Sequence, residues 1–439
     1  MWPDPSSQSA ALAKRAEQVL VGGTTRLQVW YPPYPVYAQS GSGAYVTDVD
    51  GVRRFDLTNN FASLIHGHAH PAIVAAAEAR LRLGSCFAMP TESEVLLAEL
   101  LCERVERFER VRFLNTGSEA VMMALKAARS ATGRRKIAKV EGSYHGMYDH
   151  AEVSLDSTPS NWGNAPASVP FARGTPASVL DDTVVIPFND VATTESILRA
   201  NAADLAAVLL DPVPSMCGMV PATPEYLAML RRLTRELGAL LIFDEVISLR
   251  YGYRGAQGRF GGEPDLTTMG KIIGGGFAVG AIAGTAEAMA VFDQRNGKPA
   301  TPASGTFTAN PMTMTAGLVS MELLTPETFD HLEALGDHAR AVVGQAMTAS
   351  GFPGQATGVG SNFLVHPHRR QVRDYRTHYR SPAEAAALRA LHGELIKRGV
   401  ILSPNGAAFV SSVTTRDDLD QFGEALAESL RAVEPPAAA

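Results

Sequence analysis

The chain is 439 residues long, 46% hydrophobic and 19% charged, with 39 basic residues against 45 acidic ones and a net charge of −6. That length predicts two or three domains of roughly 150 residues each, and the charge balance gives no reason to expect nucleic acid or an acidic membrane as partner. No run approaches the about 18 apolar residues of a membrane span, and Cys86, Cys102 and Cys217 fit no disulfide or metal spacing, which suits a reducing cytoplasm.

At the start of the chain, Asp4, Lys14, Arg15 and Glu17 leave no apolar stretch for a secretory leader, and residues 10–20 predict a short amphipathic helix. AYVTDVDGVRRFDL (44–57) predicts two strands about an Asp50-Gly51 turn. Short apolar or β-branched runs follow at 110–115, 136–142, 183–188, 206–211, 239–246 and 278–284, with helical patterns between several of them, such as 118–133 and 224–238. Near-continuous apolar strands alternating with helices indicate an α/β domain with a mostly parallel sheet covered on both faces. Its expected span is 66–320. The segment 1–65 reads as an N-terminal helix and hairpin, and 321–439 as a smaller C-terminal α+β domain that the N-terminal segment could join. Loop 151–182 is rich in Ser, Pro, Ala and Gly and has no period, so it reads either as functional or as a plain surface excursion. The tail 434–439 is expected to fray.

The candidate chemistry also runs in chain order. HGHAH (66–70) places His66, His68 and His70 in alternation, but it holds no carboxylate and runs into a proline, so no metal is expected. Asn115 to Ala120 (NTGSEA) follows a strand and opens a helix, where free N–H groups suit a phosphate and a Ser N-cap is an equally good account. Tyr144-His145-Gly146 closes the next strand and could offer a ring for stacking. Asp244 and Glu245 end a strongly apolar strand, at the sheet edge where open α/β sheets bind ligands. Lysine is scarce, and Lys271 alone ends a strand-like run before three glycines (IIGGGFAVG). There it can serve as a Schiff-base lysine or be an ordinary loop lysine. GTFTANP (305–311) supplies a second Gly-Thr before a helix.

In combination these motifs are specific. FDEV followed by PDLTTMGKIIGGGFAVGAIAG, with NTGSEA, YHG and GTFTANPMTM, resembles the class III pyridoxal-phosphate-dependent aminotransferases of fold type I. The likeness runs from about Val21 to Glu428, and lies nearest the group holding glutamate-1-semialdehyde aminomutase and the β-phenylalanine aminotransferases. The resemblance implies pyridoxal phosphate (PLP) as cofactor and a homodimer with the active site at its interface. It implies that Lys271 carries the Schiff base and shuttles the proton, that Asp244 pairs with the pyridine nitrogen, and that Val246 and Tyr144 sandwich the ring, with His145 beside them. Thr116, Gly117 and Ser118 would hold the phosphate, and Thr306 would reach the phosphate of the other subunit. Loop 151–182 matches the family's mobile lid.

On the substrate side, Arg26 matches a carboxylate-binding arginine, and Phe61 stands where the mutase carries tryptophan. The segment WYPPYPV after Arg26 is closer to the β-phenylalanine enzymes. Two positions depart from the pattern. Asp211-Pro212 replaces Glu-Pro, and Asn405 in SPNG replaces an arginine that helps to bind carboxylates. An amide cannot pair a carboxylate with charge, which points away from dual recognition of 2-oxoglutarate and a β-amino acid. The expected reaction is transfer of an amino group from an amino acid, a β-amino acid or another non-standard substrate, to a keto acceptor. Intramolecular aminomutation on the same cofactor is the alternative.

Overall fold

The structure is a computed structural model that describes residues 2–295 and 297–436, so positions 437–439 of the tail lie outside the described residues. The chain forms two compact units. One comprises Met1–Pro71, Asp330–Arg370 and Arg380–Ala439. The other comprises Ala72–Phe329 and Gln371–Tyr379.

The second unit is built on a seven-stranded sheet. Its order is Arg110–Leu114, Gly280–Gly284, Leu266–Gly270, Leu240–Asp244, Leu205–Leu210, Lys136–Val140, Thr183–Ile186. The last five run parallel. Every residue of Leu205–Leu210 is buried, as a strand covered on both faces requires. Gly280–Gly284, expected as one more strand of the parallel array, runs antiparallel to both neighbours. Only a short turn, Lys271–Gly274, and five more residues separate it from Leu266–Gly270, and a parallel return needs a crossover of a dozen or more residues.

Helix Pro224–Leu237 shows how local signals set the layers. The Thr223 side chain accepts from Tyr226 N, a proline opens the helix, and Gly238 ends it at φ 65°. Tyr226, Leu227, Leu230 and Leu233 form its apolar stripe and pack with Val208, Leu210 and Phe243 of the sheet. Each such side chain contributes about 1.5–3 kcal/mol on burial.

The parallel array also puts chemistry at one edge. Leu210 pairs with Phe243, and Asp244 with Thr268. Asp211, Asp244 and Lys271 therefore leave the carboxyl ends of three adjacent strands.

In the first unit the hairpin forms, with Tyr45–Asp48 antiparallel to Arg53–Asp56. Val400–Ile401 pairs parallel with Phe55 and Asp56, so segments from both ends of the chain share a sheet. They also share a core, in which Phe55 and Leu57 pack with Phe363, Leu391, Phe422 and Leu426. Loop 151–182 is more regular than its composition suggested. Ala177–Asp181 is helical, and the Ser154 hydroxyl donates to Ala167 O (2.6 Å) while accepting from Val169 N (2.9 Å), which folds the loop onto itself.

Candidate active site

The carboxylate of Asp244 is fixed from three sides. Oδ1 accepts from the Thr268 hydroxyl (3.0 Å) and from Val246 N (3.1 Å), and Oδ2 accepts from His145 Nδ1 (2.7 Å). Both Asp244 and His145 are buried. Burial lowers the His145 pKa and Asp244 opposes that shift, so the imidazole is neutral at pH 7 and donates through Nδ1. Its Nε2 is buried without a hydrogen-bond partner among the described residues.

Glu245 points away from this group. Its oxygens accept from Ala256 N, Gln257 N and Gln257 Nε2 at 2.8–3.0 Å, so it anchors the helix Gly255–Phe260. Burial pushes its pKa up to about 7. The strand-end pair thus divides, with Asp244 facing the site and Glu245 the scaffold.

Lys271 follows Gly270 with φ +48°, a backbone conformation that costs a residue with a side chain roughly 1–2 kcal/mol. Burial lowers its pKa, with Arg250 acting in the same sense and Asp244 and Asp211 against it. The amine makes no hydrogen bond among the described residues. Asp211, one strand away, has its pKa pushed up to about 8 by burial first and by Asp244 next.

The turn 116–118 lies beside these groups. The Thr116 hydroxyl caps helix Gly117–Thr132, accepting from Glu119 N at 3.1 Å. A Cβ on Gly117 would stand 2.9 Å from Val246 Cγ1, and one on Gly270 would stand 3.7 Å from the Cα of Gly117. The turn 116–118, Val246 and Gly270 before Lys271 therefore pack closely together, with no room for a side chain at residue 117. The Ser118 hydroxyl accepts from Met147 N (3.2 Å), which ties the Tyr144–Gly146 turn to the same helix end. Tyr144 is 44% exposed, and burial of the remainder raises its pKa.

A phosphorylated pyridine fits this set. The helix N-terminus suits the phosphate, the fixed carboxylate suits the ring nitrogen, and the unpartnered amine suits a carbonyl carbon. Thr306 is exposed, in a recess shared with Cys86, Phe87, Met89 and Phe307.

The expected substrate residues all fall in the first unit. Arg26 Nη1 donates to Asn60 Oδ1 (2.7 Å), and its guanidinium lies 5.7 Å from the Phe61 ring centre. Asn405 is exposed, and its Oδ1 accepts from Ala407 N (3.1 Å). Phe61 belongs to a run, Asn59 to Ala62, in which four consecutive residues have φ between 44° and 74°. Nothing in the residue types announced this run, nor the role of Thr268 as partner of Asp244. The alternation of LTTMG was the available signal for Thr268, since a buried hydroxyl needs an acceptor. Within HGHAH, His68 pairs with Asp56 (2.8 Å) and His66 with Ser412 (3.1 Å). Among the described residues no group of three or more His, Cys, Asp or Glu could hold a metal ion, and no helix is long and apolar enough to cross a membrane.

The family described as Aminotransferase class-III matches residues 27–427. Over 433 residues the chain is 37% identical to a glutamate-1-semialdehyde 2,1-aminomutase of Ignicoccus hospitalis, covering 97% of this chain and 99% of that protein. Among solved structures it is similar to an omega-transaminase from Sphaerobacter thermophilus, with 50% identity, a TM-score of 0.95 and 98% of each chain covered. It is also similar to a beta-phenylalanine aminotransferase from Variovorax paradoxus, with 32% identity and a TM-score of 0.85 over 96% of this chain and 93% of that one.

Proposed function

The chain belongs to the class III aminotransferases, which depend on pyridoxal phosphate, and on that premise we propose that it moves an amino group from a β-amino acid to a keto acid bearing a single carboxylate. The observation that carries this reading is Arg26, a cation held by a neutral amide beside an aromatic ring. Such a site suits a donor with one carboxylate and one apolar group. Likeness to the omega-transaminase and the beta-phenylalanine enzyme supports it. Asn405 offers no charge to a second carboxylate, so 2-oxoglutarate is the poorer acceptor.

Bound pyridoxal phosphate supplies an electron sink for the carbon that loses its proton. Thr116, Gly117 and Ser118 hold its phosphate, and Thr306 reaches the phosphate in a second copy of the chain. Asp244, oriented by His145, Thr268 and Val246 N, holds a proton on the ring nitrogen. Val246 and Tyr144 would hold the ring between them. Lys271 would hold the cofactor through its Nζ, and as a free amine the same Nζ would take up and hand on the proton of the substrate carbon. Burial favours the uncharged amine that can accept that proton. The working unit is a homodimer, supported by the exposed Phe87, Met89 and Phe307 around Thr306. Free Cys86, Cys102 and Cys217 suit the cytoplasm.

Curated relatives at 36–38% identity named as glutamate-1-semialdehyde 2,1-aminomutases favour a second reading, isomerisation without release of product. A half-reaction separates the two. Cofactor-loaded enzyme receives one donor and no acceptor, and loss of the visible absorbance is followed. Bleaching by 3-amino-3-phenylpropanoate with release of the keto acid is the expected result, and pyruvate should then restore the absorbance faster than 2-oxoglutarate. Bleaching by 4,5-diaminopentanoate alone, with conversion of glutamate-1-semialdehyde to 5-aminolevulinate, would establish the mutase.

A further inference from the structure

The run Asn59–Ala62 is a left-handed turn made without glycine, with φ of 44°, 47°, 56° and 74°. Asparagine tolerates this region, whereas phenylalanine and alanine do not. The surroundings hold it at its leading end. Asp56 Oδ1 accepts from Thr58 N (2.8 Å) and Asn59 N (3.0 Å), and the other oxygen of Asp56 pairs with His68. Asn59 Nδ2 donates to Phe409 O (2.5 Å). Asn59 and Ala62 are buried, while Asn60 is exposed and Phe61 half-buried. The turn therefore buries its ends and holds its two middle side chains outward. Strain maintained this firmly marks a functional position.

What those two side chains meet is Arg26. Asn60 Oδ1 accepts from Arg26 Nη1, while Asn60 Nδ2 donates to Ser63 Oγ (2.9 Å) and Ser63 Oγ donates to Asn60 O (3.0 Å). The amide is thus locked with its oxygen toward the guanidinium. Among the described residues no carboxylate pairs with Arg26. A neutral acceptor orients the fork without cancelling its charge, and it leaves the Nε and Nη2 donors for a bidentate carboxylate.

We propose that Asn60 is a positioning residue that sets specificity for the substrate carboxylate by aiming Arg26 from the left-handed turn. This rests on the reading of Arg26 as the carboxylate's partner. The residue type is the selective element, because aspartate in the same place would have the same shape and the same tolerance of the turn, yet would neutralise the arginine.

The test uses Arg26→Ala, Asn60→Asp and Asn60→Gly in the cofactor-loaded enzyme. Glycine keeps the turn easy while removing the acceptor. Three readouts are taken: KM and kcat for 3-amino-3-phenylpropanoate, the same for 1-phenylethylamine, which has no carboxylate, and the Kd of unreactive 3-phenylpropanoate by calorimetry. Asn60→Asp should raise both the KM for the amino acid and the Kd by about tenfold or more, and Asn60→Gly by about threefold to tenfold, the range expected for one ordinary hydrogen bond. Turnover of 1-phenylethylamine should stay within about twofold in both, which a merely loosened fold would not allow. If Arg26→Ala raises KM and Kd while both Asn60 variants leave them unchanged, the inference fails and the carboxylate reading stands. If Arg26→Ala changes neither, that reading falls and the inference with it.

Discussion

Asp211 leaves the strand next to Asp244, and its carboxyl behaves unlike a surface aspartate. Around it lie Asp244 and Glu245 from the neighbouring strand, the Ser248 hydroxyl, Val213 N donating to Oδ1 at 2.9 Å, and the Lys271 amine. In the unfolded chain its proton leaves near pH 3.8, whereas in the fold it stays to about pH 8. Between those values folding takes up a proton, so this group's contribution to stability is complete below pH 3.8 and drains away as pH rises toward 8. Asp211→Asn should therefore match the wild type in thermal midpoint near pH 4, then gain on it steadily up to about pH 8, as calorimetric scans across that range will show. At this scale the sequence was readable where chemistry and position coincide. Lys271 and Asp244 stand at strand ends, and an amine or carboxylate there is informative by its type alone. Asn60 was not readable. A positive φ in a residue other than glycine leaves no trace in composition, and its contact with Arg26 spans 34 residues.

The segment Gln371–Tyr379 acts at the next scale as a strap. Arg376 clasps Glu141 through Nε (2.7 Å) and Nη2 (3.1 Å), and with the rest of its fork takes the carbonyls of Trp162, Gly163 and Asn164 at 2.9–3.2 Å. Its guanidinium also lies 5.0 Å from the Trp162 ring centre. Tyr375 donates to Ser157 O (2.7 Å), and its ring fills the space where a side chain on residue 142 would stand. One strap thus secures both loop 157–164 and the turn that leads to Tyr144 and His145. Arg376→Ala should speed proteolytic cleavage within 157–164 by roughly tenfold, the equivalent of about 1.4 kcal/mol in local opening. Arg376→Lys should recover only part of the protection, since an ammonium cannot form the fork. Limited proteolysis with mass detection checks both. Here the sequence was least legible. The loop shows no period because what orders it lies 213 residues beyond Gly163. The strands and helices of the same unit were legible, since their signals are local: alternating burial, caps and closing glycines.

For the whole molecule the proposed state is a dimer. Leu81, Leu83, Phe87, Met89, Val95, Leu96 and Phe307 of the second unit are all exposed in the single chain, together with Thr306. Phe87, Met89 and Phe307 share one recess with Thr306, and an apolar recess of that kind suits a covering surface. Sedimentation should give twice the chain mass, and Phe307→Asp should lower the dimer fraction at micromolar protein and with it cofactor retention, if Thr306 serves the other copy as proposed. The α/β class was legible from strand runs alternating with helices. The antiparallel direction of Gly280–Gly284 follows from the short connection before it, not from the apolar run itself.

The strap has one more consequence, for how the protein is made. A ribosome adds about 5–20 residues each second, so the 213 residues between Gly163 and Arg376 take roughly 10–40 seconds to synthesise. Throughout that interval the nascent chain already carries Glu141 and its loop, with Arg376 not yet made to bind them. The cofactor pocket therefore cannot reach its final form on the growing chain until the translation of residue 376, long after Asp244 and Lys271 have emerged.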